Sequence, residues 1–126
     1  MSETGSPGVL LVDPDPVERR RLERELEARG WRVWVVADAP TALRVYADRS
    51  DEIWAAVVDL QLPGLQGGRV LAELGEMTPS LARFAMSANL TPTAAAAFRR
   101  LSTLPLFAKP VRSQDLDAAL RNLAVV

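Results

Sequence analysis

Ile53-Trp54-Ala55-Ala56-Val57-Val58-Asp59 is the stretch on which the fold turns. Six apolar residues run together and stop at an aspartate. A run this short and this apolar suits a strand covered on both faces, as in a parallel sheet. Leu60-Gln61-Leu62-Pro63-Gly64-Leu65-Gln66-Gly67-Gly68 follows, and its Pro-Gly and Gly-Gly pairs mark a turn-rich loop. Val70, Leu71 and Leu74 then space a short helix.

The same grammar repeats upstream. Val9-Leu10-Leu11-Val12 is a first apolar run and stops at Asp13. Asp15 can cap a helix, Pro16 fits its first turn, and Glu18 stands three residues after the cap. Leu22 and Leu26 lie one turn apart, and Gly30 ends the helix. Trp31 to Val36 reads as a strand, with Arg32 placing it at or near a sheet edge. Asp38 and Pro40 open a helix carrying Leu43, Val45 and Tyr46.

Downstream, Leu81 to Met86 is a strand ending at Ser87. Thr91 or Asn89 can cap the alanine-rich stretch from Pro92 to Leu101. Leu104 to Ala108 is a short strand ending at Lys109. Ser113 is expected to cap a last helix, with Leu116, Ala119, Leu120 and Leu123 on one face. Five strand-helix units in alternation predict an α/β fold: a five-stranded parallel sheet with helices on both faces. Residues 1–7 read as a loose leader, and 8–126 as one domain.

The chain has 126 residues, enough for a core without cross-links. Cysteine and histidine are both absent. That removes disulfides, thiolate metal sites, the Ser-His-Asp triad and the commonest general base. Fifteen basic residues against sixteen acidic ones give a net charge of -1, so no basic excess argues for direct nucleic-acid binding. No apolar run reaches the roughly 20 residues a bilayer needs, and no signal peptide is visible. The expectation is a cytoplasmic domain without a membrane partner.

In open α/β sheets, ligands bind outside the carboxyl ends of the strands. Asp13, Asp59, Ser87 and Lys109 stand at four of the five expected strand ends. Each alone reads as a turn former, a cap or a solvated lysine. Together they make a site of two carboxylates, a hydroxyl and an ammonium. Close carboxylates need a cation between them, and hard oxygen ligands suit Mg²⁺. An aspartate can itself be a nucleophile and form an acyl phosphate, whose oxygens lysine and Mg²⁺ would neutralise.

Val-Leu-Leu-Val-Asp at 9–13, Asp-Leu-Gln-Leu-Pro-Gly-Leu-Gln-Gly at 59–67, Ser-Ala at 87–88 and Lys-Pro at 109–110 resemble the receiver domain of bacterial two-component response regulators. The spacings agree: 59 to 87 is 28 residues, and 87 to 109 is 22. The resemblance runs from about Val9 to Leu123. It implies a flavodoxin-like strand order, 2-1-3-4-5. It implies Asp59 as phosphoacceptor, with Asp13 and the backbone carbonyl of Gln61 completing a Mg²⁺ site. It further implies Ser87 as switch hydroxyl, Lys109 as phosphate partner, and a cis peptide before Pro110.

Two positions depart from the family. Pro14 stands where a second acid, ordinarily a direct Mg²⁺ ligand, is usual. Asp15 is the candidate substitute, and weak Mg²⁺ binding is the expectation. Leu106 stands at the aromatic switch position, three residues before the lysine; neighbouring Phe107 points to the opposite face and reads as core.

Other features take plainer readings. Arg19-Arg20-Arg21 reads as a solvated, salt-bridged helix face. Trp31, Trp34 and Trp54 read as buried or partly buried strand residues. The alanines at 94–97 read as close helix packing. Gly64, Gly67 and Gly68 lack the Gly-Lys-Ser/Thr of a phosphate loop.

The leading function is therefore a receiver, not an enzyme beyond self-phosphorylation and autodephosphorylation. It would take a phosphoryl group on Asp59 from a sensor histidine kinase or histidine phosphotransferase and signal to an unidentified downstream protein. The rival is a protein-binding module of the same fold with weak or no phosphorylation-dependent switching, favoured by Pro14 and Leu106. A flavin or small-molecule binder lacks the long Ser/Thr-rich phosphate loop it would want.

Overall fold

A computed structural model describes residues 7–124. Five strands and five helices alternate: β1 Gly8–Val12, α1 Pro16–Ala28, β2 Arg32–Val36, α2 Ala39–Arg49, β3 Ile53–Asp59, α3 Gly67–Met77, β4 Ala82–Ser87, α4 Pro92–Leu101, β5 Leu106–Ala108 and α5 Ser113–Ala124. All pairings are parallel, in the order β2-β1-β3-β4-β5. The flavodoxin-like order is thus observed, and Arg32 does lie on an edge strand.

Strand alternation divides the core in two. Leu10, Val12, Ala56, Val58 and Ala85 meet Ala42 and Tyr46 of α2 and Val70, Leu71 and Leu74 of α3 on one face. Val9, Leu11, Val57, Phe84 and Met86 meet Leu22 and Leu26 of α1 and Leu116 and Leu120 of α5 on the other. The central strands β1 and β3 are therefore covered twice, which is why their sequences are unbroken apolar runs. This two-sided packing fixes the level of every strand end.

The helix starts follow their caps. Asp15 accepts from the Val17 N–H, Asp38 from Thr41 and Thr91 from Ala94. Gly30, just past α1, has φ 98°, a conformation that side chains disfavour.

Several expectations need correction. Glu18 does not close a capping box: it pairs with Arg21, and the Asp15 N–H goes to Asp13 instead. β5 is shorter than expected, because Pro105 has no N–H to give the ladder. Its carbonyl still accepts from Ala85 at 2.9 Å. Ser113 is the first helical residue and not the cap; the Arg112 carbonyl takes the first helix bond. Trp31 precedes β2, is buried, and donates through Nε1 to Asp117 at 2.7 Å. Trp54 is 51% exposed. Gly8 pairs with Ile53 and Val9 with Ala55, so Trp54 is the extra residue of a bulge and turns out of the core. Of the four alanines at 94–97, only Ala95 is buried. Of the leader expected over 1–7, residues 1–6 fall outside the described residues, but Pro7 is not loose: its carbonyl accepts from the Arg32 N–H of β2 at 2.9 Å; Val125, Val126 and the side chain of Leu123 also fall outside them.

Candidate functional site: an acidic pocket closed by a lysine

β1 and β3 are neighbours in register, Val12 beside Val58, so their terminal aspartates emerge at one level. Asp13 is fully buried and Asp59 is 3% exposed. Lys109 follows β5, two strands from β3 in the sheet, and places Nζ 2.7 Å from Asp59 Oδ2 and 3.1 Å from Asp13 Oδ1. Its side chain is 10% exposed. One ammonium thus holds two buried carboxylates that would otherwise repel.

Backbone donors complete the arrangement. The Gln61 N–H donates to Asp59 Oδ1 at 2.8 Å, and the Asp15 N–H to Asp13 Oδ1 at 2.9 Å. Asp13 Oδ2 lies 3.0 Å from the Lys109 nitrogen, but out of line for a hydrogen bond, and has no partner. Burial pushes the Asp13 carboxyl above the usual aspartate range, against the opposing pull of the Asp15 N–H and Lys109. For Lys109, burial alone would favour the neutral amine. The hydrogen bonds to Asp59 and Asp13 outweigh it and hold the ammonium above the ordinary lysine value.

Ser87 ends β4, is 6% exposed, and its Oγ accepts from the Asn89 N–H at 3.2 Å. Its carbonyl accepts from the Lys109 N–H at 2.9 Å, which ties β4 to the lysine. The Lys109–Pro110 peptide is cis. The Gln61 side chain spans from the β3 loop to the β4 loop and accepts from the Ala88 N–H at 3.2 Å.

Asp15 does not join the pair. Its side chain is spent on the first turn of α1, and the residue is exposed. Among the described residues, no group of three or more acidic, histidine or cysteine side chains could hold a metal ion. Leu106 is half-buried on the α2/α3 side. Phe107 packs on the opposite side, its ring 6.1 Å from that of Phe84.

Sequence reasoning missed three supports. Arg19 donates to the Asp13 carbonyl at 2.8 Å, so it braces the pocket and is not merely solvated. Arg21 pairs with Glu18 and Glu25 and donates to the Val111 carbonyl at 2.7 Å, pinning the loop after Lys109. Gly67 packs on the Asp59 backbone, where a Cβ would overlap the Asp59 carbonyl oxygen. The signal for Gly67 was present in the sequence as a glycine at the start of a helix.

The response regulator receiver domain family matches residues 9–121. The chain belongs to that family. It is a receiver domain of two-component signalling. Among curated relatives, it is 33% identical over 121 residues to the sensory/regulatory protein RpfC of Xanthomonas campestris pv. campestris, covering 93% of this chain and 16% of the relative. It is 34% identical over 117 residues to the positive alginate biosynthesis regulatory protein of Pseudomonas aeruginosa, covering 90% of this chain and 46% of that one. The receiver therefore spans less than half the length of either. A response regulator receiver domain protein from Clostridium thermocellum has the same fold, with TM-score 0.84, 23% identity and 94% of each chain covered. Receivers are in general phosphoacceptors and not catalytic enzymes. Among the described residues, no helix is long and apolar enough to cross a membrane.

Receivers also bind Mg²⁺ at this acidic pocket in general, and the donors here that fit such an ion are the carboxylates of Asp13 and Asp59. Asp13 Oδ2 is a buried, unpartnered hard-oxygen donor facing Asp59 across one ammonium. Pro14 offers no side-chain ligand, so a bound Mg²⁺ would take more of its ligands from water, which it tolerates.

Proposed function

We propose that this receiver, with residues 8–126 as a single domain, accepts a phosphoryl group on Asp59 from the phosphohistidine of a sensor histidine kinase or histidine phosphotransferase. One Asp59 oxygen attacks phosphorus as the N–P bond breaks. The electron pair stays on the imidazole, which takes up a proton. Lys109, already 2.7 Å from Asp59 Oδ2, is placed to follow the new negative charge. The Ser87 hydroxyl is free to donate, because its present bond only accepts. Asp13, Asp59 and the Gln61 carbonyl would hold Mg²⁺, which when bound neutralises phosphoryl oxygens.

The observation that carries this reading is the single ammonium shared by two buried carboxylates. A purely structural ion pair would need only one carboxylate. Burying a second that is half unpartnered is costly unless it serves chemistry. Phosphorylation adds charge at Asp59 and releases Lys109 from its present partners. That change biases the surface of α4 and β5 through Ser87, toward an unidentified downstream protein in the cytoplasm. With Leu106 in place of a ring, the change at β5 is carried by backbone shifts.

Incubation with a small phosphodonor and Mg²⁺, followed by intact mass, tests the reading. A gain of one phosphoryl group that vanishes in Asp59→Asn supports it. No gain at saturating donor and Mg²⁺ would favour the rival, a receiver-fold binding module without phosphorylation-dependent switching.

A further inference from the structure

Away from the acidic pocket, a groove of about 650 Å³ runs between α3 and α4, within the size range of ligand-binding clefts. Leu71, Phe98 and Leu104 contribute apolar lining; Arg83, Arg99 and Arg100 contribute charge. No carboxylate lines it, and among the described residues none pairs with any of the three arginines. Leu101 at the rim is 90% exposed.

Arg83 is the informative residue. It stands on β4, half-buried, and lays its guanidinium over α3. Nη1 donates to the Leu71 carbonyl at 2.7 Å, while Nε is buried without a partner. The guanidinium fits only because residue 75, inside α3, is glycine: a Cβ there would overlap it. Glycine inside a helix is unfavourable relative to alanine. The chain thus weakens a helix to seat a cation that forms no ion pair. A packing role would be met by an aliphatic residue; Nε is enclosed by protein, so an incoming carboxylate would meet the terminal nitrogens, of which only Nη1 has a hydrogen-bond partner among the described residues.

We propose that this groove binds a segment of a partner protein that brings a carboxylate side chain to Arg83 and an apolar side chain to the floor of Leu71, Phe98 and Leu104. Charge complementarity selects the carboxylate, because guanidinium and carboxylate match as forks. The apolar floor selects a protein segment over a bare anion. The groove shares α4 with the surface that phosphorylation would bias, but none of Asp13, Asp59 or Lys109 lines it, so binding here can be tested on the unphosphorylated chain.

The test is a titration of the isotope-labelled chain with a synthetic helical peptide bearing glutamate and leucine at i, i+3 and i+4 spacing, followed by amide NMR shifts. Separate arms use the glutamine-for-glutamate peptide and inorganic phosphate. Saturable shifts at residues 71–72, 83 and 98–104 are expected with the glutamate peptide, weakening as salt rises. Arg83→Gln should weaken binding at least tenfold. Gly75→Ala should do so too, by evicting the flexible guanidinium, while leaving the melting temperature equal or higher. That second variant separates lost binding from lost folding. No saturable binding, equal binding of the glutamine peptide, or shifts outside the groove would overturn the proposal. So would phosphate reproducing the whole pattern, self-association of the chain accounting for it, or both variants binding as the parent does.

Discussion

Replacing Lys109 by methionine removes the cation and keeps most of the stem. Asp13, fully buried, and Asp59, 3% exposed, would then face each other with no counter-charge. Breaking a buried pair by deleting one partner costs about 3–5 kcal/mol, chiefly for the charge left behind. The Lys109 side chain keeps 10% of its surface exposed, so the lower end is taken: about 3 kcal/mol at neutral pH. With ordinary urea m-values for a small domain, the unfolding midpoint should fall by roughly 1–3 M. The loss should also depend on pH. Asp13 already titrates above its usual 3.8 because it is buried, and removing Lys109 raises it further. A carboxyl whose folded value is raised takes up protons in the folded state first. The penalty is therefore largest at neutral pH and fades as pH falls through the raised value. Asp13→Asn added to Lys109→Met should restore most of the stability. Urea unfolding of the three proteins across pH is the assay. An unchanged midpoint in Lys109→Met, flat with pH, would refute the idea that the ammonium compensates these carboxylates.

Three other outcomes follow from the geometry. Gly67→Ala should destabilise by about 1–3 kcal/mol, since the new methyl meets the Asp59 backbone and not a flexible side chain; thermal melting checks this, and an unchanged or raised melting temperature would contradict it. Glu18 titrates below its usual 4.5, first through its hydrogen bond from Arg21, so their pair stabilises fully above that value and is lost as pH falls through the lowered one. Glu18→Gln should accordingly cost about 1 kcal/mol at neutral pH and close to nothing in acid, read by urea unfolding at both; a cost that persists in acid would point to packing instead. Pro14→Asp should tighten Mg²⁺ by about 1–3 kcal/mol, or roughly five- to 150-fold, by calorimetry; unchanged affinity in a folded variant would mean that another group already fills that position.

The fold was legible because burial on both faces leaves a plain mark. β1 and β3 read as unbroken apolar runs, and their ends gave Asp13 and Asp59 directly. Lys109 was legible too, as a lysine after a short strand with proline behind it. What the residues could not reveal was set by three-dimensional accidents of register. Trp54 looks like core in a strand of period two, and only the bulge at Gly8/Val9 turns it outward. Arg19 and Arg21 look like any solvated arginines until the helix ends beside the carbonyls of Asp13 and Val111. Asp15 was ambiguous between cap and ligand. The helix claims it, because an unbonded N–H at a helix start is a nearer partner than a cation across the loop. The role of Gly75 was invisible in sequence, since the guanidinium it accommodates comes from another element.

The most direct measurement is the location of the phosphoryl group itself. An acyl phosphate on aspartate is reduced by borohydride to homoserine, whereas an unmodified carboxylate is not. The phosphodonor-treated chain, reduced, digested and read by peptide mass, should carry homoserine at residue 59 and aspartate at residues 13 and 15. Aspartate retained at 59, or homoserine at 13 or 15, would contradict the assignment of Asp59 as the phosphoacceptor.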